Sequence, residues 1–295
     1  MSIQKLNIQL DAIVNDSSST LLARAYIDPA TRLAVILGTG MNAAIHLPIS
    51  SLHPSKLAGR VLPEDLSVTH VLTNTEFSMY GKNIFPTTRW DEYLNDHHTL
   101  PNYQPFEYLI AGGYMGEIVR LVIVEATKES NLFRGRLPSS LSMPYMLSTK
   151  TLALIENDTS YDLRDTISLL HQSHPSIYKP TPRDAYFIRQ VVRCVTNRSI
   201  AYFATGIHAL ASLLQELEFH ADLQDDLDHI SIGCDGSVIN KYPMYMERAQ
   251  EILDQMFTRC GSGSMRVTLE KTQDSAVLGA GIAAALAANA HSSSV

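Results

Sequence analysis

Apolar and polar positions along the chain follow two periods in turn. A short apolar run at 11–14, stopped by Asn15-Asp16, predicts a strand, and 20–26 read as a helix closed at Asp28-Pro29. Residues 33–37 (Leu-Ala-Val-Ile-Leu) are apolar without interruption, the pattern of a strand buried on both faces. The run breaks at Gly38-Thr39-Gly40 and resumes over 42–47, which predicts a hairpin with a tight glycine turn. Pro48, Pro54 and Pro63 mark 48–64 as a surface excursion, and 71–76 as the next strand.

From Thr88 the period lengthens. Phe106, Leu109, Ile110, Ile118, Leu121 and Val122 recur at helical spacing and predict one long helix over 104–131. A second, over 182–219, carries Ile188, Val191, Val192, Val195, Leu210 and Leu213, with Pro182 in its first turn. A strand at 228–233, a helix at 242–257, a strand at 265–269 and a helix at 276–288 follow, and 289–295 read as a flexible tail. Strands alternating with long helices predict an α/β fold, with no internal repeat.

Composition narrows this. The 295 residues are 45% apolar and 18% charged, enough apolar surface to exclude a disordered chain. A net charge of −7 argues against a general nucleic-acid binder. Cys194, Cys234 and Cys260 are odd in number and too far apart for a zinc ribbon or redox pair, so they read as reduced thiols. Residues 1–10 lack the apolar core of an export signal, and 276–288 are too short to cross a bilayer. A cytoplasmic protein without membrane contact is expected, and the scattered histidines lack metal-ligand spacing.

Four constellations could carry chemistry. Asp16 follows an apolar strand, where open α/β sheets place ligands, or it caps a helix. Gly38-Thr39-Gly40 can aim successive amides at an anion, or simply turn a hairpin. Gly236-Ser237-Val238, between a strand and a helix, suits a phosphate or serves as an ordinary loop. Glu76 and Glu107 suit paired sugar hydroxyls, or are a solvated strand end and a favourable first-turn charge.

Taken in order, these segments resemble the hexokinase family of ATP-dependent sugar kinases, in its fungal branch that includes glucokinases. The resemblance runs through Leu10-Asp11-Ala12-Ile13-Val14-Asn15-Asp16, Leu33 to Asn42, Asn74-Thr75-Glu76 and Pro105-Phe106-Glu107. It is densest at Gly112-Gly113-Tyr114-Met115-Gly116-Glu117 and closes with Gly233-Cys234-Asp235-Gly236-Ser237-Val238 and Lys241-Tyr242-Pro243. It implies an actin-like, ribonuclease-H-like ATPase fold, mostly the large domain of a hexokinase, and transfer of the γ-phosphate of ATP, with Mg²⁺, to a hexose 6-hydroxyl. By the same resemblance Asp16 is the catalytic base and Asn15, Asn42, Glu76 and Glu107 are sugar ligands. Gly38, Thr39 and Gly40 form one phosphate loop, and Gly236, Ser237 and Val238 the adenosine-side loop.

The departures shape a second expectation. Only 15 residues precede Asp16, and the Leu-Gly-Gly-Thr-Asn-like phosphate loop and Thr-Lys-Gly-Phe-like sugar loop of the family's small lobe do not occur. One large-lobe domain over 1–295 is expected, with 1–16 a remnant of the small lobe or hinge and impaired activity. The alternatives are a non-catalytic regulator or sugar sensor, or an enzyme repurposed in a specialised pathway. A homodimer or a separate partner is expected to cover the exposed strand at 9–14.

Overall fold

The computed structural model describes residues 10–57, 69–221, 228–259, 265–272 and 274–292. Its centre is a five-stranded sheet of β1 (Thr31–Leu37), β2 (Met41–Pro48), β3 (His70–Asn74), β4 (His229–Asp235) and β5 (Arg266–Lys271), in the order β3-β2-β1-β4-β5. β1, β2 and β3 pair antiparallel, while β1, β4 and β5 run parallel. The predicted hairpin forms with Leu37 opposite Met41.

Alternation along β1 explains its unbroken apolar run. Leu33, Val35 and Leu37 join the large core on one face, and Ala34 packs with Leu21 and Ala44 on the other. Leu21 belongs to α1 (Asp16–Ile27). α1 lies between the sheet and α11 (Ser275–Ser292), where Gly279 permits contact: a Cβ there would sit 2.0 Å from the Ser19 carbonyl oxygen. The predicted tail at 289–295 is corrected in part, since the helix runs to Ser292 and 293–295 lie outside the described residues.

The short helices α2 (Pro54–Leu57) and α3 (Arg89–Asp96) precede the opposite layer. That layer holds α4 (Pro105–Ile110), α5 (Gly112–Glu129), α6 (Thr149–Glu156), α7 (Arg164–Ser173) and α8 (Pro182–His220). α9 (Ser237–Lys241) and α10 (Tyr245–Arg259) complete it. α8 spans 39 residues, opened by a capping box of Thr181 and Asp184 with Pro182 in the first turn.

Three expectations are corrected. The single helix over 104–131 is two helices, broken at Ala111, whose ψ of 155° is extended. The carbonyl released at Ile110 accepts from Ser199 Oγ at 2.9 Å, and the Gly112 and Gly113 amides donate at 2.8 Å to the Gly38 and Thr39 carbonyls. Tertiary partners thus replace the helical ladder at the break. The strand over 11–14 does not form: residues 10–15 are irregular, with Leu10 and Ile13 exposed, and they join none of the sheet's strand ladders. α1 begins at Asp16 rather than at 20, because Asn15 caps it. Gln9 and the segment 58–64 of the proline-rich excursion lie outside the described residues.

Candidate functional site

β1 and β4 run parallel and end side by side, so the loops after them meet. An added Cβ at Gly38 would sit 3.3 Å from the Ser237 amide nitrogen, and one at Gly236 only 2.4 Å from the Leu37 carbonyl oxygen. Gly236 also has φ 114°, which favours glycine. Both glycine segments singled out in the sequence therefore border one groove at the carboxyl ends of the strands.

The hairpin loop is polarised. Its three carbonyls are all occupied: Gly38 by the Gly112 amide, Thr39 by the Gly113 amide and Gly40 by the Gly38 amide. The Thr39 and Gly40 amides donate to nothing among the described residues. Such a loop fits the phosphates of a nucleotide, which accept hydrogen bonds and donate none at neutral pH. Beside it lies a cavity of about 640 Å³, lined among others by Thr39, Thr149, Lys150, Ser237, Val238 and Lys241. The two lysines suit an anionic ligand.

On the other flank the predicted acidic and amide residues converge. Asn15 Oδ1 accepts from the Ser17 amide at 2.9 Å and from Asn42 Nδ2 at 3.5 Å. Asn42 Nδ2 also donates to Asn74 Oδ1 at 2.9 Å, and Asn74 Nδ2 donates to Glu76 Oε1 at 2.7 Å. Asn42 Oδ1 accepts from the Ala43 and Phe77 amides, which fixes its orientation. Glu76 has left-handed φ and ψ of 50° and 45°, turning the chain from β3 into the 3₁₀ turn Phe77–Met79.

Asp16 heads α1 with its carboxylate exposed, accepting from the Ser17 amide at 2.8 Å. The capping residue is Asn15, so of the two sequence readings of Asp16 neither the strand mouth nor the N-cap is what forms; it is the first residue of the helix. Glu107, in the first turn of α4, is buried and reaches back under the hairpin. Its Oε2 accepts from the Met41 amide at 2.8 Å and its Oε1 from Tyr114 Oη at 3.4 Å. Burial pushes the Glu107 carboxyl above its ordinary range, against the lowering effect of those two bonds. Asn15, Asn42 and Glu76 are thus linked through Asn74, with Asp16 next to Asn15 in the chain, while Glu107 binds the neighbouring Met41 amide and lines a separate cavity with Thr39, Gly40 and Tyr114.

Two residues in this arrangement were not singled out from the sequence. Asn74 bridges Asn42 to Glu76, and the signal available was its place in Asn74-Thr75-Glu76. Asp235 orders the other loop: its Oδ1 accepts from the Gly236 amide at 2.6 Å and Asn240 Nδ2 at 2.8 Å, and its Oδ2 from Ser275 Oγ. Its signal was a carboxylate ending a strand before Gly-Ser.

A family model described as hexokinase matches residues 32–286. The chain belongs to the hexokinase family. It is 30% identical to a hexokinase of Emericella nidulans over 95% of this chain and 54% of that protein. It is 29% identical to hexokinase-1 of Saccharomyces cerevisiae over 97% of this chain and 56% of that one. A solved hexokinase of Schistosoma mansoni, complexed with glucose, superposes with a TM-score of 0.78 at 25% identity, covering 93% of this chain and 57% of that one. The chain spans about half the length of the curated relatives it matches. The fold is therefore that of the actin-like ATPases, and the hexokinase family is one of sugar kinases that use ATP with Mg²⁺. Among the described residues no helix is long and apolar enough to cross a membrane.

Proposed function

We propose that this hexokinase-family chain transfers the γ-phosphate of ATP to the 6-hydroxyl of a hexose, with Asp16 accepting the hydroxyl proton. In this reading Asn15, Asn42, Glu76 and Glu107 bind the other hydroxyls. Gly38, Thr39 and Gly40 hold phosphates, and Gly236, Ser237 and Val238 border the adenosine side. The observation that carries it is the hydrogen-bonded row Asn15–Asn42–Asn74–Glu76, which starts beside an exposed carboxylate and crosses β2 two residues after the loop whose Thr39 and Gly40 amides are open to a ligand. Amides donate and accept, and carboxylates accept twice, so such a row matches a polyhydroxyl acceptor.

Phosphoryl transfer asks the protein for positioning and charge stabilisation more than covalent chemistry. Asp16 is free on one oxygen face to take the proton, and the Thr39 and Gly40 amides are aimed without needing to reorganise. Mg²⁺, when bound with the nucleotide, would neutralise phosphate charge, and Asp235 is the carboxylate on the Gly236 side that would help hold it.

The test is ADP release coupled to a reporter enzyme, with glucose, fructose and mannose, beside Asp16→Asn. Saturable, sugar-dependent release that disappears in the variant is expected; equal rates in both proteins overturn the role of Asp16. A second reading, sugar binding without turnover, is favoured by the exposure of Asn15, Asp16 and Glu76. Heat of glucose binding without any ADP release would select it.

A further inference from the structure

We propose that His98 is a positioning residue for Glu107, acting through the Tyr114 hydroxyl. The inference rests on the sugar-binding role of Glu107 given above. His98 stands between two tyrosines, with Nδ1 2.9 Å from Tyr108 Oη and Nε2 3.4 Å from Tyr114 Oη. The Tyr114 oxygen is in turn 3.4 Å from Glu107 Oε1.

The direction of these bonds follows from donor arithmetic. The Leu100 amide, which can only donate, lies 3.1 Å from His98 Nδ1. Nδ1 must then accept, and the neutral imidazole carries its proton on Nε2. That proton points to Tyr114 Oη, which leaves the Tyr114 proton to donate to Glu107. The single Tyr108 proton is then shared between Nδ1 at 2.9 Å and the Leu100 carbonyl at 2.7 Å, closing the turn that holds the imidazole. With the Met41 amide on Oε2, the Glu107 carboxylate is oriented through both oxygens, one of them set by the tautomer of His98.

The side chains that border this side of Glu107 are His97 and His98 from the segment before α4, Tyr114 of α5 and Tyr145, around a cavity of about 400 Å³ that they share with Thr39 and Gly40. The imidazole is thus held from the Leu100–Tyr108 side and reaches Glu107 only through Tyr114.

The experiment compares His98→Ala, Tyr114→Phe and the double variant of the full chain. Each single change should raise the sugar KM roughly 5- to 10-fold, while kcat and the ATP KM stay within about twofold. Because both act on one path, the double variant should be no worse than the singles. Additive losses overturn the proposal. Imidazole nitrogen NMR supplies a readout independent of turnover. An Nε2–H tautomer at His98 that is perturbed in Tyr114→Phe is expected, and an Nδ1–H tautomer overturns the relay. If Glu107→Gln leaves sugar KM and binding unchanged, the sugar role of Glu107 fails instead, and the NMR result still judges the relay.

Discussion

Asp16 and Glu107 are the two carboxylates given the proposed roles of base and sugar ligand, and their surroundings differ. Asp16 is exposed on the first turn of α1 and takes a hydrogen bond from its neighbour Ser17; Glu107 is buried and bound at both oxygens by partners 66 and 7 positions away. The contrast matches the role proposed for each group. A base must exchange a proton and meet a moving hydroxyl, so few fixed bonds suit it. A residue that orients a ligand, and also anchors a loop, gains from being fixed beforehand. The proposed site thus pairs a loosely held carboxylate with a fixed one, and the fixed one also anchors the Met41 end of the glycine hairpin.

The sharpest way to separate the two is Asp16→Asn. Turnover should fall about 10²- to 10⁴-fold, the usual range for a lost general base, while stability stays within about 0.5 kcal/mol as for other exposed sites. Steady-state kinetics and urea unfolding on the same samples check this, and a large loss of stability would break the comparison. Glu107→Ala should instead lower stability as well as weaken sugar binding. It leaves the buried Met41 amide without an acceptor and should cost about 1–3 kcal/mol in urea unfolding.

A smaller effect is expected from Gly40→Ala. The new Cβ would lie 2.6 Å from Glu107 Oε2, so the carboxylate must swing away and give up the Met41 bond. Sugar KM should rise, with a smaller shift in the urea midpoint than in Glu107→Ala. The smallest effect is on pH dependence. Burial raises Glu107 above its ordinary value of 4.5, so above that pH the folded state holds a proton the unfolded chain has lost. The stabilising contribution is present below the unfolded value and is lost as pH rises through the folded one. Urea midpoints from pH 4.5 to neutrality should decline less in Glu107→Gln than in the parent; identical slopes would mean the burial carries no such cost.

Much of this arrangement could be read from sequence because local signals and tertiary structure agree. Gly38 to Gly40 turn a hairpin, Pro182 opens α8, and the apolar run 33–37 is buried on both faces, each for the reason its residues suggested. The break at Ala111 was hidden because the apolar spacing from Phe106 to Val122 continues unaltered across it. What breaks the helix is a set of partners far away in sequence, Gly38, Thr39 and Ser199. The apolar stretch 11–14 failed in the other direction, since strand propensity needs a neighbour to pair with. Asn74 escaped notice because an amide at a strand end carries no spacing signal, and its role appears only when β2 lies beside β3.

The glycine hairpin has a consequence for selectivity. With its carbonyls at 38, 39 and 40 all engaged by amides, the loop is electropositive without one basic side chain. Its polarity cannot be titrated away, acetylated or satisfied by a metal cation, because peptide N–H groups keep their protons across the physiological range. A ligand that presents acceptors meets the open Thr39 and Gly40 amides at any working pH, whereas the carbonyls each already take one amide bond. Any tuning of nucleotide preference in this chain must therefore come from elsewhere in the groove, from side chains such as Lys150 and Lys241 that can be substituted without disturbing the loop itself.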